Sequence, residues 1–106
     1  MHPHYLYVDA DWENESKYQG ICVRVGDTLV NREFSGDIEA DARKTGEFLC
    51  KQGATEWLNA SSIDNYLYEI AFDAGLEDPE VDLRECVQEG YYLESTLYSP
   101  PISIAN

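Results

Sequence analysis

The sequence predicts an α+β fold, in which a small mixed or antiparallel sheet carries helices packed on it. Two observations indicate this class. Apolar residues alternate with polar ones over several short stretches, as in half-buried strands, and recur every three to four residues over two longer stretches, as in helices. The predicted order is β-β-β-α-β-α-β. The 106 residues have the length of a single domain, and we expect residues 99–106 to form an extended tail.

The first part of the chain predicts three consecutive strands. Residues 5–10 and 21–25 alternate apolar with other side chains, and residues 28–30 follow as a third, short strand. Gly26 and Asp27 separate the second and third strands, and glycine at the first position of a two-residue loop is typical of a type II′ turn. The second and third strands are therefore predicted to form a hairpin.

A helix is predicted after this hairpin. Asp37 offers an oxygen for its N-terminal cap, and Gly53 is placed to end it. Its apolar face is predicted to consist of Ile38, Ala42, Thr45 and Leu49. A short helical turn is expected around Trp57.

The remaining elements are a fourth strand, a second helix and a fifth strand. Residues 66–72 alternate aromatic or apolar residues with others, which predicts the fourth strand. Asp78 followed by Pro79 is typical of a helix start. Gly90 is predicted to end this helix, and residues 91–98 to form the last strand.

Charge is the strongest functional signal in the sequence. The formal net charge is −14, and residues 54–106 contain eleven acidic residues but one basic residue, Arg84. Such a field repels phosphate backbones and anionic lipids and attracts basic protein surfaces. It therefore indicates neither direct nucleic-acid binding nor membrane binding. The alternative is that the charge serves solubility alone, although small domains need only about 2–8 charges for that.

The acidic residues of the second half predict a surface that binds a basic protein. Their carboxylates would resemble a row of phosphates and occupy the nucleic-acid-binding surface of the partner. In size and charge the chain is similar to small acidic phage proteins that inhibit host defence, such as anti-CRISPR and anti-restriction proteins. Such a module is expected to be non-enzymatic and to need no cofactor. The predicted partner-binding residues are Glu69, Asp73, Glu77, Asp78, Glu80, Asp82, Glu85, Glu89 and, at the end of the series, Glu94.

A second hypothesis is a metal-dependent nuclease. The segments YLYVDAD (5–11), IEADA (38–42) and YEIAFD (68–73) follow one another in an order that resembles the front of the ribonuclease H-like fold. The resemblance covers roughly residues 5–75. It implies a Mg²⁺ site that cleaves phosphodiesters, with carboxylates from the first strand, the first helix and the end of the fourth strand. The matching residues are Asp9, Asp41 (or Glu39) and Asp73.

The cysteines and the N-terminus indicate where the protein resides. Cys22, Cys50 and Cys86 are odd in number and widely spaced, which argues against a disulfide framework and a zinc site. Without a neighbouring base, they are expected to be ordinary buried or half-buried thiols. Because the first residues do not resemble a secretion signal, we expect a cytoplasmic protein, in the host cytoplasm if a phage encodes it.

Overall fold

The structure, a computed structural model, describes residues 4–11, 13–14, 17–55, 57–59, 75–76 and 78–98. The strands are β1 (His4–Asp11), β2 (Lys17–Val25), β3 (Thr28–Glu33) and β4 (Trp57–Asn59). The helices are α1 (Ile38–Lys51) and α2 (Pro79–Tyr98). The predicted α+β class is confirmed.

The sheet has the strand order β3-β2-β1-β4. β1 pairs with β2 and β2 pairs with β3 in the antiparallel sense, whereas β4 pairs in parallel with β1. Val25 pairs with Thr28 across the two-residue loop, and Gly26 has a φ of 61°, as the predicted hairpin requires. The positions of the first three strands, and the hairpin between β2 and β3, could therefore be predicted from the pattern of apolar residues and from Gly26.

The core lies between one face of the sheet and the two helices. Every second residue of β1, Leu6, Val8 and Ala10, is buried, and so is the predicted apolar face of α1. Alternation along β1 and β2 and the helical repeat of α1 and α2 bring these side chains together. The main members of the core are Leu6, Val8, Ala10, Ile21, Val23, Ile38, Ala42, Leu49, Leu83, Cys86 and Val87.

Both ends of α1 are set by local hydrogen bonds. The Asp37 side chain accepts hydrogen bonds from the backbone N–H groups of Glu39 and Ala40 at 3.1 and 3.3 Å. At the other end, the N–H of Gly53, which has a φ of 70°, donates to the carbonyl of Cys50. The N–H of the next residue donates to the carbonyl of the third residue from the end of the helix, which completes a Schellman motif. The predicted cap and the predicted terminating glycine are both confirmed.

The structure corrects two predicted elements. Residues 57–59 form a strand, not a helical turn, because their backbone pairs with β1. Residues 91–98 continue α2, so the predicted fifth strand and the predicted helix end at Gly90 are wrong. Gly90 is a packing position: a Cβ there would lie 1.9 Å from the backbone oxygen of Arg43 on α1. The predicted strand at 66–72 and the predicted tail at 99–106 lie outside the described residues.

Gly46 on α1 makes the reciprocal contact with α2. A Cβ at this position would lie 2.0 Å from the carbonyl oxygen of Val87. The two helices therefore touch backbone to backbone, which only glycine permits. Among the residues that the structure describes, no helix has the length and apolar character needed to cross a membrane.

Candidate functional site

One face of α2 carries a row of carboxylates that we call the acidic stripe: Asp78, Asp82, Glu85 and Glu89. Their spacings of four, three and four residues place them within an arc of about 60° around the helix axis. The row is about 16 Å long, because each residue of a helix advances the chain by 1.5 Å.

The acidic stripe points away from the core. Leu83, Cys86 and Val87 occupy the buried side of α2, whereas the stripe residues Asp78, Glu85 and Glu89 are exposed and Asp82 is half-buried. The Glu89 side chain is 55% exposed. A partner could therefore reach these carboxylates without opening the fold.

Part of the acidic stripe also has a structural role. Asp78 stands immediately before Pro79, and its carbonyl accepts a hydrogen bond from the N–H of Asp82 at 2.9 Å. The Asp78 carboxylate accepts a longer bond of 3.5 Å from the N–H of Val81. Negative charge is favourable at the N-terminus of a helix because of the unpaired N–H groups there. Asp78 thus serves the helix start that the sequence predicts.

Arg43 of α1 contacts the far end of the acidic stripe. Its Nε donates to Glu89 at 2.9 Å, and its guanidinium lies 3.9 Å from Glu39. The hydrogen bond to Glu89 is the largest cause that raises the pKa of Arg43. All three side chains are at least 40% exposed, so each pair contributes at most about 1 kcal/mol to stability. Glu39 also approaches the thiol of Cys86 at 3.9 Å.

Not all predicted acidic residues join the acidic stripe. Glu94 is 6% exposed, which corrects its predicted place on the acidic surface. Glu94 follows Glu89 by five residues, so its side chain leaves the helix about 140° around the axis from that of Glu89, on the side that faces the core. Glu69, Asp73 and Glu77 lie outside the described residues, and of Glu80 only the backbone is described.

The residues of the alternative metal site are engaged in other contacts. Asp9 lies on the face of β1 opposite the core, where Arg32 binds its Oδ2 at 2.8 Å. Its other oxygen accepts a hydrogen bond from the N–H of Ala10. The described residues contain no group of three or more His, Cys, Asp or Glu side chains arranged to hold a metal ion.

Asp41 is the most buried carboxylate in the described chain, at 1% exposure. One oxygen accepts a hydrogen bond from the N–H of Ser35 at 2.8 Å, and the other accepts one from the hydroxyl of Tyr18. Burial and this hydrogen bond raise the pKa of Tyr18 above its usual range. Asp41 therefore joins the first turn of α1 to β2 and to the segment after β3, a role that the sequence does not reveal.

The cysteine prediction is confirmed. All three are unpaired thiols; Cys22 and Cys86 are buried and Cys50 is half-buried. Burial is the largest cause that raises the pKa of the Cys22 and Cys86 thiols, which disfavours the reactive thiolate form.

Comparisons with known proteins find no matching family, no matching curated protein and no matching solved structure.

Proposed function

We propose that this chain is a non-enzymatic, acidic protein-binding module that occupies a basic, nucleic-acid-binding surface of a partner protein. A phage counter-defence protein, of the anti-CRISPR or anti-restriction kind and acting in the host cytoplasm, is the class that fits this proposal. The observation that carries it is the acidic stripe, which gathers carboxylates on one outward face of α2.

Electrostatics supports this assignment. Carboxylates can replace phosphates as partners of lysine and arginine, and a net charge of −14 would accelerate encounter with a basic surface. The acidic stripe has roughly one charge per 5.5 Å, compared with about one per 3.4 Å along one strand of DNA. The acidic stripe thus approaches the charge spacing of a single strand more than that of a duplex.

A charge that served solubility alone would need no particular arrangement. The single base of residues 54–106, Arg84, projects from α2 roughly 130° away from the centre of the acidic stripe and so does not interrupt it. Glu39 of α1 adds a further carboxylate beside the acidic stripe, near Cys86. Four carboxylates thus share one side of the helix and its start, with no lysine or arginine of α2 among them, and this arrangement favours a binding role.

The alternative proposal, a small Mg²⁺-dependent nuclease using Asp9, Asp41 and Asp73, would require new roles for two of these residues. Asp9 would have to exchange its contact with Arg32 for a metal. Asp41 would have to release two hydrogen bonds in a buried position. We therefore prefer the binding module.

The test compares two doubly substituted variants with equal net charge. Asp82→Asn/Glu85→Gln removes the centre of the acidic stripe and leaves the capping Asp78 and the Arg43-bound Glu89 in place. Its control, Glu13→Gln/Glu47→Gln, makes the same change of charge elsewhere. The wild type and both variants are immobilised and exposed to a bacterial lysate at about 50 mM salt.

The expected result is capture of nucleic-acid-binding proteins by the wild type and the control, with release at about 500 mM salt, where charges are screened within a few ångströms. Capture by the stripe variant should fall severalfold. A captured protein should also lose its nucleic acid when the wild type is added. Capture that is indifferent to salt, or equal for the two variants, would refute the proposal.

A further inference from the structure

The outward face of α2 continues beyond the acidic stripe with apolar side chains. Tyr92 and Leu93 follow Glu89 by three and four residues, so they lie on the same side of the helix, one turn further on. Their side chains are among the most exposed large apolar ones in the described chain, at 63% and 60%. The sequence-based prediction missed this continuity because it ended the helix at Gly90.

The ring of Tyr92 contacts one aromatic neighbour within the fold. Its ring meets the Tyr91 ring edge-on, with the centroids 6.0 Å apart and the planes at 84°. Tyr91 is itself anchored, because its hydroxyl donates to the carbonyl of Ala54 at 2.7 Å and its ring lies 5.0 Å from that of Trp57. Tyrosine has few rotatable bonds and therefore loses little entropy on binding, and it is enriched among the residues that dominate protein interfaces.

We infer that Tyr92 and Leu93 form the apolar end of a docking surface whose charged part is the acidic stripe. The occupant is a partner segment that is basic over about 16 Å and apolar at one end, such as a basic amphipathic helix. This inference rests on the proposed function and deepens it. The acidic stripe supplies attraction and approach, and the apolar pair supplies contact that salt does not screen.

Charge selects this occupant over a second copy of the chain or a membrane. Two copies docked through this face would oppose two rows of carboxylates, each on a molecule with a net charge of −14. Anionic lipid would be repelled for the same reason. A basic segment neutralises the acidic stripe, and its apolar end covers the exposed pair.

The probe is a pair of fluorescent helical peptides of about 15 residues, the length that spans the acidic stripe and the apolar pair. Both carry four lysines at helical spacing on one face. One ends in two leucines on that face and the other in two serines. Dissociation constants are measured by fluorescence anisotropy at about 50 mM salt for the wild type and four variants.

The expected result is that the wild type binds the leucine peptide about tenfold more tightly than the serine peptide, the effect of removing roughly 55 Å² of apolar surface from water at about 25 cal/mol per Å², which is partial burial of the two leucines. Tyr92→Ser/Leu93→Ser should remove this preference. Leu29→Ser/Val30→Ser, which changes two exposed apolar residues of β3, should retain it. Leu93→Ser alone, the smaller change, should reduce the preference severalfold, and thermal melts confirm that each variant folds.

The possible results distinguish the role of Tyr92 and Leu93 from the role of the acidic stripe. Equal affinity of the wild type for both peptides, with loss of binding in Asp82→Asn/Glu85→Gln, would overturn the role of Tyr92 and Leu93 and leave the acidic module intact. A preference for leucine that survives in Tyr92→Ser/Leu93→Ser would also overturn it. Binding of neither peptide would overturn both.

Discussion

Substituting alanine for Gly90 sets two well-known effects of opposite sign against each other. Alanine is favoured over glycine within a helix by about 1 kcal/mol, so propensity alone predicts stabilisation. In the structure, however, the added Cβ would lie 1.9 Å from the carbonyl oxygen of Arg43. Ordinary van der Waals contact begins at 3.4 Å, so the two backbones would have to separate by about 1.5 Å. Neither atom can escape by a change of rotamer.

The cost of this separation exceeds the gain in propensity. Overpacking a core costs about 1–3 kcal/mol, occasionally more, and moving α2 outward also loosens Leu83 and Val87 against the rest of the core. A radial gap of up to 1 Å already forfeits a quarter to a half of the attraction between two atoms. We therefore expect Gly90→Ala to lower the free energy of unfolding by about 2–4 kcal/mol, a substantial part of the roughly 5–15 kcal/mol that stabilise a native domain.

Urea denaturation followed by circular dichroism measures the effect. Gly53→Ala is the control, because a Cβ there meets no atom within 4 Å and only the positive φ is penalised, by about 1–2 kcal/mol. Gly46→Ala should resemble Gly90→Ala, and the double variant should lose less than the sum, since one separation relieves both clashes. If Gly90→Ala were neutral or stabilising, the backbone contact between the helices would be refuted.

Three further predictions concern individual side chains. Tyr18→Phe should lower the free energy of unfolding by about 2 kcal/mol in urea denaturation, because buried Asp41 loses a donor. The folded state raises the pKa of Tyr18 above its ordinary 10.0, so the protonated tyrosine stabilises the fold below about pH 10 and this contribution is lost as the pH rises further. The decrease in stability above about pH 10 should therefore be smaller in Tyr18→Phe than in the wild type. In native protein, Cys50 should react first with a thiol reagent, ahead of the two buried cysteines. Magnesium should leave the melting temperature unchanged, and Asp9→Asn should cost at most about 1 kcal/mol, because its ion pair is partly exposed.

Each of these predictions has a clear contrary result. An unchanged stability of Tyr18→Phe would contradict its hydrogen bond to Asp41. Equal labelling rates of all three thiols, with the fold shown intact by circular dichroism, would contradict the burial of Cys22 and Cys86. A rise of melting temperature in Mg²⁺ or Mn²⁺ that Asp9→Asn abolishes would favour the nuclease alternative instead.

The elements that could be predicted from sequence are those whose ends are fixed by neighbours along the chain. The Gly26 loop, the Asp37 cap and the Gly53 terminus each depend on hydrogen bonds or dihedral angles within a few residues. Gly90 shows the limit of this approach. A glycine that ends a helix and a glycine that admits a second helix have the same local sequence signature, and only the position of α1 distinguishes them.

The candidate site could be predicted in part for the same reason. The spacing of Asp82, Glu85 and Glu89 on a helix follows from the sequence, whereas burial of Glu94 depends on which side of α2 meets the core. The buried role of Asp41 depends on Tyr18, a residue twenty-three positions away in the chain. Long-range partners of this kind leave no periodic signal.

The contact between the helices also determines how much of the acidic stripe is available to a partner. The backbone of Arg43 lies against Gly90, and the side chain of the same residue binds Glu89. The close approach of the helices therefore places a positive charge at one end of the acidic stripe. A partner that contacts only Asp82 and Glu85 need not displace this guanidinium. A partner that also reaches the apolar residues beyond Glu89 must either displace Arg43 or pass over it. If it displaces Arg43, its lysines compete with the ion pair between Arg43 and Glu89, which contributes at most about 1 kcal/mol to stability and can therefore be broken on binding.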